Sequence, residues 1–106
     1  MDTRSAEPTT VGEMLSEEFL KPMGITQEQL GGVMGLSRKV IGQIVNNSRR
    51  ISLEEAATLA RLFETDDDFW INIQAAHDRW QIKKIIASQN TQPMGLELSV
   101  YKLSST

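Results

Sequence analysis

Apolar residues recur at steps of three and four through most of this chain, interrupted by short clusters of Gly, Pro, Ser, Asn and Asp. That is the pattern of an all-α protein built from short helices. The first series is Val11, Met14, Leu15 and Phe19, with Thr10 and Glu13 at capping-box spacing and Pro22 and Gly24 behind it; a helix is predicted over 10–20. Thr26 caps the next series, in which Leu30, Val33 and Met34 share one stripe, and Gly35 ends it. Ser37 then caps a third helix from Arg38 to Val45, with Asn46-Asn47-Ser48 as its exit. Two short helices joined by a tight Gly-containing turn form a helix-turn-helix outline over residues 26–46.

Ser52 with Glu55 opens a fourth helix whose inner face is Leu53, Ala56, Leu59, Ala60 and Phe63. Asp66, Asp67 and Asp68 start a fifth, where acidic residues complement the positive end of the helix dipole. Phe69, Trp70, Ile73, Ala76 and Trp80 follow at helical spacing, and Ile82, Ile85 and Ile86 carry the pattern to about Ser88. The expected architecture is a five-helix, repressor-like helix-turn-helix domain over 10–88, preceded by a flexible arm, residues 1–9, and followed by a tail, residues 89–106. In that tail Leu96, Leu98 and Val100 alternate with polar residues, which predicts a short strand over 96–101. Its open edge calls for a mate in a second copy or in a partner protein. Met14, Met23, Met34 and Met94 read as gap fillers.

The composition narrows the function. The chain has 106 residues, no Cys and one His. A disulfide framework, thiolate zinc sites and thiol catalysis are excluded, and the absence of Cys agrees with a reducing, cytoplasmic compartment. No apolar run approaches the ~18 residues of a membrane span. His77 has no nucleophile context and no second His for a metal site, so binding rather than catalysis is expected, with no cofactor. The formal charge of −3 argues, as a whole-chain figure, against nucleic acid.

Its distribution argues the other way. Residues 37–50 contain Arg38, Lys39, Arg49 and Arg50 and no acid, a net +4 that leaves −7 for the rest of the chain. At ~100° per residue, Val40, Ile41, Ile44 and Val45 fall on one arc of the third helix. Arg38, Lys39, Gly42, Gln43, Asn46 and Asn47 fall on the other. An ordinary solvated face mixes Glu with Lys, whereas this one offers cations and amides alone. Arg and Lys donate to guanine O6 and N7, Gln pairs with adenine N6 and N7, and Asn and Ser suit phosphate oxygens. Gly42, mid-arc, gives up roughly 1 kcal/mol of helix propensity, which fits a close approach of this helix to DNA.

These residues resemble a known class. Thr26-Gln27, Leu30, Gly31, Gly35, Ile41 and Ile44 look like the helix-turn-helix of phage repressors of the Cro/C1, or XRE, class. More narrowly, Val11-Gly12-Glu13-Met14-Leu15, Glu17-Glu18-Phe19-Leu20, Ala60-Arg61-Leu62-Phe63 and the Phe69-Trp70-x-Asn72-x-Gln74-x-x-x-Asp78 series are similar to HigA-type antitoxins of HigBA modules, over about residues 9–81. The resemblance implies a homodimer that binds an inverted repeat, a palindromic operator in double-stranded DNA, and that neutralises a HigB-like mRNase toxin. It places base reading on Arg38, Lys39 and Gln43, and phosphate contacts on Gln27, Ser37, Asn46, Asn47, Ser48 and Arg49. Trp70, Trp80, Leu96, Leu98 and Val100 are the expected dimer or partner contacts, the two Trp residues serving equally well as core. Gly31 stands where relatives commonly have Ala, which predicts a looser helix crossing. Two other readings fit the same residues: a stand-alone repressor without a toxin, and a protein-interaction module that has lost DNA binding.

Overall fold

A computed structural model describes residues 6–95. Among them all regular structure is helical: α1 (residues 11–23), α2 (Gln27–Met34), α3 (Arg38–Val45), α4 (Leu53–Leu62) and α5 (Phe69–Ser88). The predicted strand over 96–101 lies outside the described residues.

Helix α1 runs three residues beyond its expected end. It is α-helical over Val11–Glu13, π-helical over Met14–Leu20 and α-helical again over Lys21–Met23, closing on Gly24 at φ 66°. Pro22 does not break it. A proline ring collides with the carbonyl four residues back in an α ladder, and the wider π turn immediately before Pro22 relaxes that constraint. Capping boxes open α1 at Thr10/Glu13, α2 at Thr26/Gln29 and α4 at Ser52/Glu55. The start of α5 departs from expectation: Asp66, Asp67 and Asp68 precede Phe69 in the turn, and Asp68 makes no side-chain cap.

Val11, Leu15, Leu20, Leu30, Ile41, Ile44, Ile51, Ala56, Leu59, Ala60 and Trp70 form one core. Around Trp70, Phe19 and Phe69 lie with ring centroids 5.2 Å away and Phe63 at 6.1 Å. Trp70 is fully buried, so its expected place at a dimer or partner contact is corrected to the core; its indole N–H has no hydrogen-bond partner there. Four other apolar assignments change. Val33 and Leu53 are exposed because the stripes of α2 and α4 are narrower than the apolar residues available to fill them; Met23, at the end of α1, and Met94, beyond α5, are exposed as well. From Gln81 onward every residue of α5 is exposed, including Ile82, Ile85 and Ile86, so this ~30 Å helix extends past the core it starts from. Among the described residues of the arm, Glu7 Oε2 lies 2.8 Å from His77 Nε2 on α5.

Two glycines set the position of α3. At Gly31 a Cβ atom would lie 2.5 Å from the Leu36 carbonyl oxygen. The crossing of α2 over the turn is therefore tight, not loose, and Gly is what permits it. At Gly12 a Cβ would come within 2.2 Å of the Val45 carbonyl oxygen and 2.7 Å of that of Ile44. The start of α1 thus abuts the end of α3 backbone to backbone.

Candidate nucleic-acid interface

The turn between α2 and α3 is built by Gly35, at φ 72°, and by the Leu36 N–H donating to the Gly31 carbonyl at 2.8 Å. Ser37 Oγ accepts from the Val40 N–H at 3.2 Å, which fixes the first turn of α3 and leaves the hydroxyl proton for another acceptor. Ile41 and Ile44 are buried against the core, so the opposite arc faces outward. Arg38 and Lys39 are exposed on it and make no ion pair among the described residues. Gln43 and Gly42 are half-buried beside them. A Cβ at Gly42 would stand 3.3 Å from Gln27 Oε1, so the missing side chain also seats the first residue of α2 against α3. Gln27, Ser37, Arg38, Lys39, Gly42 and Gln43 are brought together as the sequence anticipates.

The exit loop is organised differently from the expectation. Asn46 Oδ1 accepts from Ser48 Oγ at 2.6 Å and from the Ser48 N–H at 3.0 Å, while the Ser48 N–H also donates to the Gln43 carbonyl at 2.9 Å. The one hydroxyl proton of Ser48 is thereby committed, and the amide NH2 of Asn46 is the outward donor. Asn47 adopts φ 64°, a left-handed conformation that Asn tolerates well, and its Oδ1 accepts from the Gly12 N–H at 3.0 Å. Asn47 is a brace between α1 and α3, serving one of the open N–H groups at the start of α1.

Arg49 and Arg50 are each paired with a carboxylate. Arg49 Nη1 and Nη2 donate to Glu55 Oε1 and Oε2, both at 2.9 Å. Arg50 Nη1 and Nη2 donate to Asp78 Oδ1 and Oδ2 at 2.6 and 2.8 Å. These paired, charge-assisted hydrogen bonds hold the Glu55 and Asp78 carboxyls below their ordinary range, against a smaller opposing effect of burial. The next residue is gripped as well: the Ile51 N–H donates to Gln74 Oε1 at 2.9 Å, and Gln74 Nε2 donates to the Ile51 carbonyl at 3.1 Å. Gln74 and Asp78, four residues apart on one face of α5, thus hold consecutive loop residues. Sequence reasoning singled out the Gln-x-x-x-Asp spacing but missed its task, as it missed Gly12 and Glu55. The i, i+4 spacing of two polar residues in the half of α5 that packs on the domain is the signal that could have pointed to it.

Trp80 is half-buried, with its ring centroid 5.3 Å from that of His77 and Lys84 Nζ 4.6 Å above it. Leu96, Leu98 and Val100 lie outside the described residues. No described helix is long and apolar enough to cross a membrane.

A turn-linked helix pair inside a five-helix domain, with the second helix directing cations and amides outward, defines a helix-turn-helix domain of the repressor class. A helix-turn-helix family model (HTH_3) matches residues 17–70. An uncharacterised HTH-type transcriptional regulator of Haemophilus influenzae is 43% identical over 77 residues, covering 73% of this chain and 72% of that one. Antitoxin HigA-1 of Vibrio cholerae is 40% identical over 76 residues, covering 72% and 71%. Among solved structures, Pseudomonas aeruginosa antitoxin HigA with the higBA promoter superposes with a TM-score of 0.69 at 27% identity, covering 83% of this chain and 99% of that one. The chain belongs to the helix-turn-helix family that includes the HigA antitoxins.

Proposed function

We propose that this protein is a HigA-type antitoxin that represses its own operon as a homodimer on an inverted repeat and neutralises a HigB-like mRNase toxin. The observation that carries the reading is the outward arc of α3, where Arg38, Lys39 and Gln43 flank Gly42 with no acid among them, on a helix whose other arc is anchored by Ile41 and Ile44. Likeness to an antitoxin solved with its promoter supports the same use of that helix. Arg38, Lys39 and Gln43 read base edges in the major groove. Gln27, the Ser37 hydroxyl and the Asn46 amide meet phosphates on either side, and Gly42 lets the helix axis approach. Two copies set their α3 helices about one DNA turn apart, ~34 Å, in successive major grooves. The bulk of the molecule outside the basic segment is acidic, which suits a basic toxin on another face.

The test has two arms. Footprinting on the DNA upstream of the coding region should give two protected half-sites. Co-expression with the adjacent reading frame should yield a stable complex in which ribosome-dependent mRNA cleavage is silenced. Protection without a toxin partner selects the stand-alone repressor, a reading favoured by the relative described only as a transcriptional regulator. Absence of protection overturns DNA binding.

A further inference from the structure

Of the four cations that make residues 37–50 basic, the structure ties two to carboxylates in complete two-point pairs and leaves Arg38 and Lys39 outward. We infer that Glu55 and Asp78 are affinity-limiting residues of the DNA interface: they occupy the guanidinium forks of Arg49 and Arg50 in the way phosphates would, and so hold the interface to about half of its formal charge.

The inference rests on the DNA-binding reading above and refines it. A guanidinium presents its two terminal nitrogens as a planar fork that fits a carboxylate or a phosphate, and a carboxylate on that fork leaves only the Nε edge for a phosphate and offsets the positive charge the phosphate would meet. In Arg49 both fork nitrogens are on Glu55, and Nη1 also lies 3.3 Å from the Arg50 carbonyl. Glu55 is held in turn, since its Oε1 also accepts from the Ser52 N–H at 2.9 Å as part of the α4 capping box. It is therefore a fixed acceptor, 12% exposed, and not a mobile surface carboxylate. Arg50 is more open at 65%, yet both of its fork nitrogens are on Asp78, whose place on α5 is set one helical turn beyond the Gln74 clamp. With Glu55 and Asp78 counted, the basic segment falls from +4 to +2. The salt dependence of binding counts the phosphates neutralised, so each clamp removes about 0.9 from the slope of log K against log salt per protomer.

Glu55→Gln and Asp78→Asn separate charge from shape. Gln at the third position of a capping box still reaches the N-cap N–H, and Asn conserves the Asp outline. The experiment measures binding of the full chain and each variant to its own upstream DNA and to a random duplex of equal length, at 50–200 mM salt, with circular dichroism confirming the fold. Each variant is expected to bind both DNAs more tightly at low salt. Its slope should steepen by about 0.9 per protomer, which means about 3.5-fold more affinity lost across that salt range for each added contact. Arg49→Ala should change little alone and should cancel the gain in the Glu55→Gln background.

Equal or weaker binding by the variants with an unchanged slope overturns the inference while the DNA-binding reading stands, since Glu55 would then be orienting Arg49 toward a phosphate. If Glu55→Gln fails to fold, Asp78→Asn decides alone. Binding by neither wild type nor variants overturns both readings; binding by the variants only supports the clamp directly.

Discussion

Replacing Gly12 by Ala should be among the most damaging single-methyl additions this domain can receive. The added Cβ would sit 2.2 Å from the Val45 carbonyl oxygen, 2.6 Å from Asn47 Oδ1 and 2.7 Å from the Ile44 carbonyl oxygen. The first distance is about 1.2 Å short of the 3.4 Å at which ordinary contact begins. Two of the three obstacles are backbone at the end of α3 and cannot rotate away. Over-packing of this kind costs about 1–3 kcal/mol. Displacing Asn47 also breaks its bond to the Gly12 N–H, about 1 kcal/mol more, and the better helix propensity of Ala returns at most about 1 kcal/mol. A net loss of about 1–3 kcal/mol should lower the melting temperature by roughly 4–24 °C for a domain of this size. Urea and thermal unfolding followed by tryptophan fluorescence suits the question because Trp70 is buried in the core. Gly32→Ala is the internal control: it lies in α2 with nothing within 4 Å of its Cβ, and should gain up to about 1 kcal/mol. Unfolding of Gly12→Ala within 0.5 kcal/mol of wild type, on the order of an inconsequential surface change, would refute the packing reasoning.

Gly31→Ala should also destabilise, because its Cβ meets the Leu36 carbonyl oxygen at 2.5 Å; a more stable variant would contradict the tight crossing. Gly42→Ala should raise stability by about 1 kcal/mol while weakening DNA binding, since its Cβ meets only the mobile tip of Gln27; undiminished affinity would remove the close-approach role. Arg38→Ala should cost about 1–3 kcal/mol on specific DNA and relax base preference, and an equal loss on random DNA would reassign it to phosphate contact. Glu55 and Asp78 titrate below their ordinary values of 4.5 and 3.8 in the folded chain, so the stability they supply is complete above those values and is lost as pH falls through the lowered ones. The stability difference between wild type and Glu55→Gln in urea should therefore shrink below about pH 4.5, and a difference that persists undiminished to pH 3 would contradict the pairing.

The helix-turn-helix was legible because its punctuation is local. Thr26, Gly35, Ser37 and Ser52 cap or end helices within three or four residues of themselves, and the buried pair Ile41/Ile44 follows from spacing alone. What the chain did not disclose depends on residues far apart in sequence. The family resemblance reads Arg49 as a phosphate contact and the charge count treats Arg50 as a free cation, yet their carboxylate partners stand 6 and 28 residues away. Asn47 reads as an exposed donor until Gly12, 35 residues earlier, is brought against it. Gly31 misleads for a different reason: its obstacle is the backbone oxygen of Leu36, five residues on, whose place is set by the turn geometry and not by any side-chain pattern. Val33 and Leu53 fit the helical stripes by period but lie beyond the width of the surface available to cover them.

Arg38 and Lys39 stand out from α3, whereas Ile41 and Ile44, on the same two turns, hold it in place. Under the proposed DNA-reading role, sites that read and sites that fold are interleaved along eight residues without sharing side-chain contacts in the core. Substitution at 38 or 39 is nearly free of folding cost, so on that role a protein of this kind changes the DNA word it recognises in single steps without losing its scaffold.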